Sequence, residues 1–302
     1  MTKKQFQGTG TALVTPFKRD GSIDEAALRR FVDFQIEEGI DMLFPCGTTG
    51  EGATLENAET ERVVSIVVEQ SRNRVPVIAG AGSNSTAKAI QATQMAKRLG
   101  ADGVLSVGPY YNKPTQQGYY EHFRAIAEAV DIPVIVYNVP GRTASNIEAK
   151  TMLRLAEVPN IVAVKEASGN LGQIMDIIRD RPAEFRVLSG DDAIALAVVA
   201  MGGDGLVSVV SNEAPRMMTD IIDAALAGDL VRARDLHYRL LPLMNANFME
   251  SNPIPVKAAL TMMGMMEEHF RLPMVPLSAG NREAFRKVVE SLGLLQSAGI
   301  RL

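Results

Sequence analysis

Short runs of β-branched and apolar residues recur eight times before Gly228, and a stretch with helical spacing of its apolar positions follows most of them. The runs are "TALVTPF" from Thr11, "DMLFPC" from Asp41, "VPVIAGAG" from Val75, "GVLSVGP" from Gly103, "PVIVYNVP" from Pro133, "IVAVKEA" from Ile161, "FRVLSGD" from Phe185 and "GLVSVVS" from Gly205. Between them lie patterns such as "IDEAALRRFVDFQIEEG" and "TAKAIQATQMAKRLG", several ended by a glycine where a helix cap places one. Most of the strand runs are apolar on both faces instead of alternating, as in a parallel sheet covered by helices. Eight such units predict a (β/α)8 TIM barrel, a fold of about 250 residues.

From Gly228 onward only helical patterns remain: "DLVRARDLHYRLLPLMNANFM", "IPVKAALTMMGMM" and "NREAFRKVVESLGLL". They predict a three-helix C-terminal appendage over 228–302, packed on a catalytic barrel over 1–227, with the methionines around Met262 to Met266 as core or interface filler. No linker or low-complexity segment separates the two parts.

The 302 residues are 46% hydrophobic and 22% charged, the balance of an ordinary globular protein. A net charge of −4 gives no broad attraction to phosphate backbones or anionic lipid, so neither nucleic acid nor membrane is an expected partner. The N-terminal "MTKKQFQGTG" has no apolar segment after its lysines, and no apolar run approaches the roughly 20 residues of a membrane span, so the expected address is cytoplasmic. Cys46 is the only cysteine, which excludes an intrachain disulfide and a cysteine-built metal site; within "MLFPC" it reads as a small buried hydrophobe.

In a parallel barrel the reactive groups lie at the carboxyl ends of the strands. Those ends carry "PCGTTGEG", "GPYYNKP", "VYNVPGRT", "VKEASGN" and "LSGDD". Lys165 and Tyr137 fall on adjacent strands, and stepping back two residues from each gives Ala163 and Ile135, so both side chains point into the barrel on one pleat. A lysine in a dry barrel mouth loses its proton more readily, and a neutral amine attacks a carbonyl; Lys165 is the candidate Schiff-base nucleophile. Each residue also has an ordinary reading. Lys165 alone reads as a snorkelling surface residue or the partner of Glu166, Tyr137 as a core aromatic, and Tyr110 and Tyr111 as rim or interface residues. Thr48 and Thr49 alone read as turn or cap residues, and Arg142 as a solvated loop charge. Their convergence on one end of one barrel favours a site.

"GTTGE", "PYYNKP", "YNVPGRT", "VKEASGN", "LSGDD" and "NPIPVK" occur in an order and spacing that resemble the dihydrodipicolinate synthase family, within the pyruvate-dependent lysine aldolases that include N-acetylneuraminate lyase. The resemblance covers essentially the whole chain, and "NVPGRT" is its most specific segment. It implies a lyase that needs no cofactor or metal and condenses pyruvate with L-aspartate 4-semialdehyde, the first committed step of diaminopimelate and lysine biosynthesis. Lys165 would form the Schiff base, with Tyr137, Thr48 and Tyr111 as a hydroxyl relay. Tyr111 would come from a neighbouring subunit of a homotetramer built as a dimer of dimers. Arg142 would bind the carboxylate of the aldehyde; Thr49 and the backbone near Val207 would hold pyruvate, and Gly190 would leave room beside the adduct. In relatives inhibited by lysine, histidines and a glutamate stand where this chain has Asn57, Thr60 and Lys88, while the residues matching Asn84 and Tyr110 are kept. Lys88 would repel the amino end of lysine, so weak or absent inhibition is expected.

Rival readings are a metal-dependent aldolase, a phosphate-binding barrel, and a barrel reused for binding or assembly. His122, His237 and His269 are all expected on helices far from the strand ends, which argues against a metal site, and "SNEAP" after the eighth strand lacks phosphate-cradling glycines. Within the family, the alternative is an aldolase or dehydratase acting on a 2-keto sugar acid, which would share Lys165 and Tyr137 without needing Arg142.

Overall fold

The computed structural model describes residues 6–295. Eight parallel strands run in the order β2-β1-β8-β7-β6-β5-β4-β3: β1 (Gly8–Ala12), β2 (Met42–Phe44), β3 (Ile78–Gly80), β4 (Gly103–Val107), β5 (Val134–Asn138), β6 (Ile161–Glu166), β7 (Arg186–Ser189) and β8 (Gly205–Ser208). The circle closes between β2 and β3 through a parallel bridge of Leu43 to Val77, with Leu43 N donating to Pro76 O (3.0 Å) and Gly80 N to Pro45 O (2.9 Å). The expected TIM barrel is what the chain forms.

Helices α1 (Glu25–Glu37), α2 (Asn57–Ser71), α3 (Thr86–Arg98), α4 (Gln116–Ala129), α5 (Pro140–Thr143), α6 (Ala149–Ala156), α7 (Leu171–Asp180), α8 (Ala195–Ala200) and α9 (Pro215–Leu226) connect or follow the strands. Local chemistry starts several of them: Asp24 accepts from Ala27 N, Thr115 from Gly118 N and Asn170 from Gln173 N, each quenching an orphan donor of the first turn. Then α10 (Leu230–Ala246), α11 (Ile254–Met262) and α12 (Ala279–Ser291) pack together, α10 against α8 and α9.

Three apolar clusters follow from this layering. The strands' outer residues and the inner faces of the helices make the largest. The C-terminal helices with α8 and α9 make a second. The third fills the barrel itself with Ala12, Phe44, Leu105, Ile135, Ala163, Leu188 and Val207. Met263 and Met266 are buried in the outer core.

Two expectations are corrected. The first strand starts at Gly8, ahead of the β-branched run that begins at Thr11, because a Cβ on Gly10 would overlap the Phe44 ring that fills the barrel. Glycine reads as a turn in sequence, yet here it makes space for a neighbour's side chain. His269 lies in an irregular segment after α11 and not on a helix; His122 and His237 are on α4 and α10.

Candidate functional site

The register of β5 and β6 decides the chemistry of the barrel mouth. Ile135 pairs with Ala163 and Tyr137 with Lys165, so both polar side chains continue the inward rows that those apolar residues begin. Lys165 is 5% exposed, and its Nζ lies 4.3 Å from the centroid of the Tyr137 ring. Among the described residues it makes no hydrogen bond and no ion pair. Burial holds its amine well below the usual lysine value, at about 8; Asp192 draws it back up and Arg142 pushes it further down. The pairing with Glu166 does not form: Glu166 is the next residue on the strand and faces outward, where it accepts from Asn138 Nδ2 (3.0 Å), Ser168 N (2.8 Å) and Gln173 Nε2 (3.3 Å).

The other predicted residues gather round this amine to different degrees. Tyr137 is buried, which pushes its phenol up to about 12, while Arg142 and a hydrogen bond with the Thr48 side chain pull it back. Thr49, also buried, accepts from Asn252 Nδ2 at 2.9 Å. Arg142 sits exposed in α5, directly after β5, with Nη2 3.5 Å from the Asn252 carbonyl. Val207 lies on the inner wall, level with Gly10 of β1. At Gly190 a Cβ would stand 2.7 Å from the Ala167 Cβ and 3.0 Å from Lys165 Cε, so only glycine leaves the lysine stem free.

Tyr111 is not brought into this group. It is 90% exposed at a backbone φ of +72°, and within the chain no hydrogen bond joins it to Thr48 or Tyr137 among the described residues. Tyr110 beside it is also exposed. Their loop is tied to that of Asn84, whose carbonyl accepts from Asn112 Nδ2 at 2.8 Å. Lys88 is exposed on α3, and Asn57 and Thr60 stand on the first turn of α2.

Sequence reasoning missed two residues of the mouth. Asp192 is buried at the end of β7, where its carboxylate accepts from Ser208 Oγ and from Val209 N (3.0 Å) and burial pushes it up to about 6. The signal was its place as the second of two aspartates at a strand end, ahead of an apolar helix that leaves it no route to water. Asn252 arrives from the C-terminal region, in a motif recognised as a whole but not residue by residue. Cys46 is a buried thiol pushed up to about 12, unsuited to nucleophilic work. Among the described residues, no group of three or more histidine, cysteine, aspartate or glutamate side chains is placed to hold a metal ion, and no helix is long and apolar enough to cross a membrane.

The arrangement can therefore present a neutral amine, a hydroxyl pair and a guanidinium to a carbonyl compound bearing a carboxylate. Residues 5–292 match the dihydrodipicolinate synthetase family. The 4-hydroxy-tetrahydrodipicolinate synthase of Koribacter versatilis is 56% identical over 297 residues, 98% of this chain and 99% of the relative. The crystal structure of dihydrodipicolinate synthase from Aquifex aeolicus superposes with a TM-score of 0.94 at 47% identity, covering 96% of this chain and 99% of that one. The chloride-inhibited dihydrodipicolinate synthase of Acinetobacter baumannii, complexed with pyruvate, superposes at 0.95 with 43% identity, covering 96% and 100%. Similar from end to end in both sequence and fold, the chain belongs to the dihydrodipicolinate synthetase family.

Proposed function

We propose that the chain condenses pyruvate with L-aspartate 4-semialdehyde to give 4-hydroxy-tetrahydrodipicolinate, through a Schiff base on Lys165. The observation that carries the reading is an amine buried at a strand end without an acceptor among the described residues, beside a glycine that leaves its stem room. The names of the full-length relatives and the pyruvate complex of a neighbour support the substrates.

The neutral amine of Lys165 adds to the keto carbon of pyruvate, and loss of water leaves an iminium ion. Removal of a methyl proton gives the enamine, whose carbon attacks the aldehyde. The amino group of the second substrate then closes the ring onto the iminium carbon and releases Lys165. Each step moves a proton, and the Tyr137 and Thr48 hydroxyls, hydrogen-bonded to each other, are the in-chain members of the relay. Thr49 and the Val207 backbone hold the pyruvate end, Gly190 leaves space for the adduct, and Arg142 pairs with the carboxylate of the aldehyde through its planar fork. Tyr111, standing out from its own protomer, completes the relay of a neighbour, so the working form is a dimer, doubled to a homotetramer. Residues 1–227 are the catalytic unit and 228–302 the helical addition that braces it, its last seven residues lying outside the described ones. The enzyme works in the cytoplasm, in diaminopimelate and lysine biosynthesis, without a cofactor. Lysine inhibits it weakly or not at all, because Lys88 carries the wrong charge among Asn57, Thr60, Asn84 and Tyr110.

The test is turnover of the two substrates coupled to the next reductase, followed by NADPH loss, with Lys165→Ala as control. Turnover that disappears in the variant supports both substrate and nucleophile. If pyruvate is trapped on Lys165 by borohydride without turnover, the aldehyde is wrong and 2-keto sugar acids are tested next.

A further inference from the structure

Thr48 and Thr49 are carried by a turn that the barrel alone does not hold. Cys46 and Glu51, on either side of the two threonines, both have left-handed backbone angles (φ +59° and +53°), which non-glycine residues adopt at a cost. Such strain persists only where the surroundings over-determine it. A Cβ at Gly50 would press on the Leu13 carbonyl, and Thr15 Oγ1 donates to Gly50 O at 2.7 Å, which fixes the middle of the turn. Its far end is fixed from the C-terminal region. Lys257 of α11, fully buried, donates to Glu51 Oε1 at 2.6 Å and to His269 O at 2.7 Å, with its ammonium 4.6 Å and 4.9 Å from the centroids of the Phe17 and Phe270 rings. Arg271 N donates to the other oxygen of Glu51 at 3.2 Å, while the Arg271 side chain grips Glu59, Gly21 O and Thr54 O. Five residues before Lys257, Asn252 reaches Thr49 itself. One segment of the helical addition therefore holds the turn at both the threonine and the glutamate.

We propose that the buried Lys257–Glu51 ion pair is a positioning device for catalysis: it locks the strained turn so that the Thr48 and Thr49 hydroxyls stand at the pyruvate end of the pocket. The proposal rests on the Schiff-base reading above and adds residues that touch no substrate. A pair kept for stability alone is a weak expectation, since a buried ion pair replaced by apolar groups of similar size is often neutral or stabilising. A pair kept for geometry is different, because an apolar replacement packs without fixing where Glu51 points.

The test compares Lys257→Met, Glu51→Gln and the charge-free double variant with the parent, at a temperature where circular dichroism shows the native fold. The expected result is a KM for pyruvate raised tenfold or more in each folded variant. The pH midpoint for borohydride trapping of pyruvate on Lys165 stays where it is in the parent, because the surroundings of that amine are untouched. A cycle with Thr49→Val separates positioning from support: if Lys257 acts through Thr49, the Thr49→Val loss shrinks in the Lys257→Met background, whereas independent losses multiply. Where a single variant fails to fold, the double variant decides. A folded double variant with a pyruvate KM within twofold of the parent, or multiplying losses in the cycle, overturns the proposal. A parent that traps no pyruvate overturns the Schiff-base reading, and this proposal with it.

Discussion

Two lysines are buried among the described residues, and their surroundings make opposite use of the same amine. Lys257 has a carboxylate oxygen at 2.6 Å, a carbonyl at 2.7 Å and two aromatic rings, so its charge is fully answered. Lys165 has one aromatic ring and no acceptor within hydrogen-bond reach among the described residues. Burial pushes both below the usual lysine value, but at Lys257 the Glu51 carboxylate opposes the shift at contact distance. An answered ammonium is a strut, and an unanswered one is ready to become a free base.

Replacing each lysine with methionine tests that contrast most strongly. Lys165→Met should lose turnover about a thousand-fold or more, measured in the coupled assay, since among the described residues no other buried amine faces the pocket. The same change should stabilise the fold by on the order of 1–3 kcal/mol at neutral pH. The sign follows from linkage: the native amine titrates at about 8 against 10.5 for an ordinary lysine, so the unfolded chain binds the extra proton between those values. The penalty of Lys165 is thus full below about pH 8 and fades toward pH 10.5, and the gain of the variant in urea melts should fade with it. Lys257→Met should do the reverse, destabilising by about 3–5 kcal/mol because it leaves Glu51 charged and buried. A variant pair that shifts stability in the same direction breaks the comparison.

Smaller effects sharpen it. Gly190→Ala puts a methyl against Ala167 and the Lys165 stem, and overpacking of about 1–3 kcal/mol should appear as a ten- to hundredfold lower kcat/KM for pyruvate. In the parent, kcat/KM for pyruvate should rise about tenfold per pH unit below 8 and level off above it, as the nucleophile loses its proton. Last, millimolar lysine should leave the initial rate essentially unchanged, while Lys88→Glu should make it sensitive.

The part of the site that was legible in sequence is the part written by period. Alternation along two neighbouring parallel strands places Tyr137 and Lys165 on one pleat, and the register of Ile135 with Ala163 follows from the same count. What was illegible depends on distant approach. Lys257 and Glu51 are 206 residues apart, and neither sequence neighbourhood names the other. Asn252 and Thr49 are 203 apart. The start of β1 was hidden because Gly8 answers to Asp41, just ahead of β2, and Gly10 to Phe44 within it, a demand invisible within their own run. Asp192 was overlooked because its hydrogen bonds come from β8 and the residue after it.

That Lys165 meets no acceptor among the described residues bears on ligand binding. Arg142 stands near enough to push that amine's pKa down, so the mouth sets two cationic groups against Asp192, which is already engaged with Ser208 and Val209. Both proposed substrates carry a carboxylate, and each brings an anionic group to these two cations. Saturating pyruvate should therefore lift the melting temperature, as any ligand bound only by the native state does.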